Sequence, residues 1–229
     1  MTRQQVLALI EHYGLHGEER DQVLDLWKLA SQPSWWYPYR DIVGERYAGL
    51  IDLEDDASLI RNYGSVVHGL LQTETYARAL IESGPQELTQ DEIDRRVEVR
   101  RRRQAVLEKE EAPRLWVILD EAALHREVGG PGAMREQLGK LLEMSRQPSI
   151  TVQVIPFKIG AHPAPAGAMT LFDLSDGSRM SFMETVVGDL YLEQAQEIEA
   201  AEIAFNHLNG AAVDRVASAK LIEQRLKEY

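Results

Sequence analysis

The chain has 229 residues, 44% of them hydrophobic and 27% charged, with a formal net charge of −12 and no cysteine. This suits a globular protein of one large domain, or one domain with an appendage. The lack of cysteine excludes disulfides, a thiol nucleophile and thiolate metal sites, and fits a cytoplasmic protein. The acidic balance disfavours binding to nucleic-acid phosphates by these residues. No apolar run approaches the roughly 20 residues of a membrane helix.

The first segment, MTRQQVLALIEHYG, is amphipathic and lacks a cleavage site, so it is not a signal peptide. Thr2 and Gln5 have capping-box spacing and open a helix over residues 2–13, with Val6, Leu9, Ile10 and Tyr13 as its stripe. A second helix follows over 18–30, with Val23, Trp27 and Ala30 on one face and acids early, where the helix dipole favours them. SQPSWWYPY (31–39) is an aromatic hinge packed on a core, or a stacking patch. Residues 46–63 are expected to form one helix, with Leu50, Leu53, Ala57 and Ile60 aligned.

Thr73 opens a further helix that ends before Ser83-Gly84-Pro85. A second capping box, Thr89 and Glu92, precedes a long helix to about Glu111. Arg100 to Arg103 stand in a row there, yet the helix carries acids and bases in equal number, so a solvated face with i,i+4 pairs is expected. LWVILD (115–120) is a central strand, and Pro131 marks the start of an amphipathic helix bearing Met134, Leu138 and Leu141.

Residues 149–184 predict three strands and two turns. Ile150, Val152 and Val154 alternate along the first strand, 169–174 and 180–184 form the next two, and Ser175-Asp176-Gly177-Ser178 is a hairpin loop. GAHPAPAG (160–167) cannot be strand or helix. Such a stiff loop holding one histidine is either a tight crossing or the lip of a pocket. Helices over 194–208 and 211–227 close the chain.

Motifs for chemistry are sparse. Neither a Gly-rich phosphate loop nor a nucleophile elbow nor H-E-x-x-H occurs. The six histidines are scattered, and no metal site or cofactor is expected. His162, between Gly160 and Pro163, either pins its loop through backbone hydrogen bonds or contacts a ligand. Asp120, at a strand end, either caps the next helix or faces a site.

Several stretches occur together and in order: LEDDASLIRNY (53–63), GLLQTETYARAL (69–80), the R-x-x-R-Q of 100–104, LDEAALHREVGG (119–130) with M-x-x-Q-L after it, VQVIPFKIGAHP (152–163) and METVVGDLYLE (183–193). They resemble the C-terminal, antitoxin-like domain of unknown function found in actinobacterial, Streptomyces-type XRE helix-turn-helix transcriptional regulators. The resemblance runs from about Trp35 to the C-terminus, and it implies that residues 1–34 are the end of a helix-turn-helix domain plus its connector, without the recognition helix. His68 departs from the family pattern, which has proline before GLLQT.

The resulting expectation is an α+β fold: a small mixed or antiparallel sheet of four or five strands covered by helices, with a helical N-terminal extension, and an α+β regulatory domain over 35–229. The expected function is ligand sensing, dimerisation or partner binding in a transcriptional regulator that touches DNA only through a helix-turn-helix absent here. A small-molecule effector and a small protein from a neighbouring gene are the expected partners of a homodimer, with no membrane. A cofactor-free enzyme of a biosynthetic pathway and a pure protein-interaction module are the alternatives. The candidate ligand-binding residues are Leu70, Leu71, Gln72, Tyr76, Phe157, His162, Glu184 and Tyr191, with His162 and Glu184 as polar anchors of a mostly apolar cleft. No catalytic residue is assigned.

Overall fold

The computed structural model describes residues 2–30, 34–163, 167–185 and 188–229. Contacts divide the chain into two compact units, Met1–Asp41 and Ile42–Tyr229. In the first, α1 (Arg3–His12) and α2 (Gly17–Ala30) pack through Val6, Ile10 and Leu24. Thr2 and Gln5 satisfy each other's backbone donors at the start of α1, at 2.8 and 3.3 Å, as the capping box requires. Part of the aromatic hinge, residues 31–33, lies outside the described residues.

The second unit is built on a six-stranded mixed sheet in the order β3-β2-β1-β4-β5-β6. The strands are β1 (Ala57–Gly64), β2 (Arg114–Asp120), β3 (Ile150–Ile155), β4 (Met169–Leu174), β5 (Arg179–Thr185) and β6 (Gly188–Leu192). β1, β2 and β3 run parallel, and β4, β5 and β6 continue from β1 as an antiparallel meander.

Six strands exceed the four or five expected, and β1 is the main correction. The predicted helix over 46–63 is two elements: α3 (Glu45–Asp56), then β1 directly after it. Ala57 and Ile60 happen to sit three apart, which imitates a helical stripe. Between β2 and β4, however, Ile60 packs into one core and Tyr63 into the other, so tertiary pairing decides the conformation. β6 escaped the sequence reading because it is only five residues long and none of them is fully buried.

Each face of the sheet carries a helical layer. On one side Ile60, Val117, Val152 and Phe172 meet Leu50 of α3, Tyr76 of α4 (Glu74–Glu82), Leu138 of α7 (Gly130–Met144) and Ile222 of α9 (Arg215–Glu228). On the other, Tyr63, Ile118 and Leu171 meet Phe205 and Leu208 of α8 (Ala195–Ala211). The parallel strands are joined by crossovers containing α4 and α5 (Gln90–Arg103), then the short α6 (Ala122–His125) and α7. The free edge of β3 is covered: Val154 N donates to Ser218 Oγ and its carbonyl accepts from Val213 N. Among the described residues no helix is long and apolar enough to cross a membrane.

The four consecutive arginines do not share one solvated face. Arg101 and Arg102 pair with Glu98 at 2.8 and 2.7 Å on the surface, as expected. Arg103 instead turns inward to Glu54, and Arg100 reaches Gln72. The long helix stops at Arg103 and gives way to a 3-10 turn over Gln104–Glu108.

Candidate functional site

The GLLQT stretch forms a tight bend between β1 and α4. Leu70 and Leu71 are fully buried anchors in a 3-10 turn, and Thr73 caps α4 by accepting from Tyr76 N at 3.2 Å. Leu71 N donates to His68 O and Gln72 N to Gly69 O within the bend, and side chains from α7 and the C-terminal end of α5 bond further backbone groups. Gln137, fully buried on α7, donates to Leu71 O and accepts from Thr73 N, both at 2.8 Å. Gln104 Nε2 donates to Gly69 O and Gln72 O, and Lys140 Nζ donates to Gln72 O at 2.9 Å and to Gln104 Oε1 at 2.7 Å.

Gln72 is the hub. Its Nε2 donates to Val67 O at 2.7 Å, and its Oε1 accepts from Arg100 Nη1 at 2.9 Å. Around it opens a cleft of about 390 Å³, walled by α4, α5 and α7 and lined by Gln72, Thr73, Ala77, Val97, Arg100, Gln104 and Lys140. This volume falls in the range of small-molecule sites, about 300–1,000 Å³. Glu74 and Glu136 stand exposed at its rim. Burial lowers the Lys140 ammonium below its ordinary value, against the pull of Glu136 and Glu143.

A second polar cluster lies at the C-terminal ends of the parallel strands. Tyr63 from β1, Asp120 from β2 and His162 from the loop after β3 converge, with Tyr63 OH 3.3 Å from Asp120 Oδ2 and 3.4 Å from His162 Nε2. His162 Nε2 is also 3.4 Å from Asp120, and its Nδ1 is buried without a partner among the described residues. Burial, then the Asp120 charge, pushes the Tyr63 hydroxyl well above its ordinary value. Asp120 also accepts from Ala122 N at 2.8 Å, so it caps the following turn while facing the histidine. No group of three or more metal-binding side chains occurs among the described residues.

The eight residues singled out in the sequence occupy separate places. Leu70, Leu71, Gln72 and Tyr76 come together, but only Gln72 lines the cleft, because the other three are core. Phe157 is 58% exposed beside the His125 ring, and its backbone N–H donates to Glu121. His162 meets Tyr63 and Asp120. Glu184 is exposed on β5, and Tyr191 stacks on Phe182 at 5.1 Å on β6. Burial, then Asp189, raises the Tyr191 hydroxyl to about 12. Part of the stiff loop, residues 164–166, lies outside the described residues.

The sequence does not mark Arg100, Gln104 and Lys140 of the cleft, or the buried Gln137 behind it, as a site. One signal was available: a glutamine within the apolar stripe of α7 signals a buried amide with a specific partner. The R-x-x-R-Q motif supplied the facing side chains, but its spacing alone does not show that its first and last members share a cleft.

A family model described as Domain of unknown function (DUF5753) matches residues 47–224, which include the whole cleft and the strand-end cluster. No curated protein and no solved structure gives a match.

Proposed function

The chain belongs to the DUF5753 family, and on that premise we propose that it is the effector-sensing regulatory domain of an XRE-type DNA-binding transcriptional regulator, acting as a homodimer. The ordered motifs over residues 53–193 resemble those of the C-terminal domains of such regulators. The net charge of −12 agrees with a role in which these residues do not themselves hold DNA.

The observation that supports effector binding is the 390 Å³ cleft around Gln72. Its walls come from three helices, tied to one bend through the side chains of Arg100, Gln104, Gln137 and Lys140. A ligand seated there would contact all three helices at once. It would favour one arrangement of them by the difference in its affinity for the alternatives, and a dimer interface built on the same helices would pass that preference on.

Native mass spectrometry of the purified chain, under conditions that keep non-covalent complexes, tests this. A dimer carrying a small molecule is the expected result. A bare monomer, unchanged by added metabolites, would contradict effector sensing.

A further inference from the structure

Arg100 and Lys140 differ from the cations of this chain that carboxylates hold. Arg61, Arg78, Arg102 and Arg103 each lie within 2.7 Å of a carboxylate. Arg100 and Lys140 form no ion pair among the described residues, although acidic residues outnumber basic ones by 37 to 25. Their partners are neutral oxygens: Gln72 Oε1 for Arg100, Gln72 O and Gln104 Oε1 for Lys140. Arg100 Nε is buried with no acceptor among the described residues.

The placement of charge in the cleft follows a gradient. The acids that line it, Glu74 and Glu136, are exposed at the rim, whereas Arg100 and Lys140 are half-buried against the amide floor. Glu74 has its own reason to be there: it occupies the first turn of α4, where the helix dipole favours an acid, and it lies 3.6 Å from Arg101. The inner cleft therefore holds two positive charges with no internal counter-charge, where reduced solvent strengthens any anion contact. A guanidinium fork and an ammonium converging on one hollow suit a group with several acceptor oxygens.

We infer that this cleft binds a small oxyanion, the phosphate or carboxylate group of a small molecule, between Arg100 and Lys140, with the ligand body against Ala77 and Val97. The inference rests on the effector-binding form of the function proposed above and names the chemistry of that effector. The rim acids disfavour highly charged polyanions and leave room for one anionic group on a compact molecule.

Isothermal titration of the full chain in chloride buffer tests it, with inorganic phosphate in one arm and succinate in the other. Saturable binding is expected in at least one arm, and the responding arm identifies the anionic group. Lys140→Gln should weaken it about tenfold or more, the loss expected for a charge-assisted hydrogen bond. Glu136→Gln removes an exposed repulsive charge and should tighten binding, by up to about fivefold. No saturable binding in either arm overturns the inference, as does binding that Lys140→Gln leaves unchanged. If Lys140→Gln does not fold, Glu136→Gln decides: affinity that stays the same or falls overturns the inference. That failure is separable from failure of the regulatory reading, because the native mass measurement reports any bound effector regardless of charge.

Discussion

Arg103 and Glu54 face each other through two parallel hydrogen bonds, Nε to Oε2 at 2.8 Å and Nη2 to Oε1 at 2.7 Å, with side chains only 4% and 2% exposed. Arg103 Nη1 also donates to the Tyr47 hydroxyl. The pair ties the last turn of α5 to α3, and through α5 it fixes the wall of the cleft on which Arg100 sits. Burial raises the Glu54 carboxyl above its ordinary value, and Arg103 pulls it back. Such a pair costs much to bury and much more to break.

Arg103→Met should therefore destabilise the fold by about 3–5 kcal/mol, because it strands a buried carboxylate. The double replacement Arg103→Met with Glu54→Leu should recover a large part of that loss. Urea unfolding of the three proteins checks both statements, and a double variant as unstable as the single one would contradict them.

Gly69 packs against the same guanidinium. A Cβ there would lie 3.0 Å from Arg103 Nη2, an atom that Glu54 holds in place. Gly69→Ala should cost about 1–3 kcal/mol through this overpacking. Gly139→Ala, on α7 with nothing within 4 Å of the new methyl, should instead stabilise by up to about 1 kcal/mol. Thermal unfolding of the two variants should shift in opposite directions.

His68 gives the fold an acid limit. Its Nδ1 accepts from Leu70 N at 3.3 Å, which only an unprotonated nitrogen can do. Burial, with the charges of Arg103 and Arg100, lowers its pKa from 6.5 to about 3. The unfolded chain takes up this proton below about pH 6.5 while the folded chain refuses it. The His68 contribution to stability is thus complete above that pH and lost as pH falls towards 3, by at most about 1.4 kcal/mol per unit. The His68 backbone, at φ −58° and ψ 141°, suits proline. His68→Pro should remove this part of the slope, as measured by unfolding free energies across the same pH range.

The Tyr63–Asp120–His162 cluster is a separate structural unit. His162→Ala should lower stability by about 1 kcal/mol, the value of a typical hydrogen bond. It should leave the affinity for the anion unchanged, because the cluster sits at the strand ends and contributes nothing to the cleft lining. Parallel denaturation and titration of this variant check both halves.

The sequence made local features legible and left long-range ones hidden. The capping boxes of α1 and α5 and the Thr73 cap of α4 are short-range chemistry, and all three form as their spacing implies. The β3 strand follows from β-branched alternation, β4 and β5 form as expected on either side of the hairpin loop, and Gly177 takes the positive φ of 84° that the turn needs. β1 was not legible, because its identity depends on β2 and β4 pairing at its two edges rather than on its own residues. The cleft was partly legible: Gln72 was picked out, but its partners Arg100 and Lys140 come from other helices. Four identical arginines in a row also gave no sign that two would turn inward.

The oxyanion site is mapped most directly by amide chemical shifts of the full chain during titration with inorganic phosphate and, separately, with succinate. Saturable shifts are expected with at least one of the two anions, concentrated in residues 72–77, 97–104 and 136–140, the segments that wall the cleft. Shifts confined instead to residues 157–163 or 183–192, or no saturable shift with either anion, would contradict an oxyanion site there.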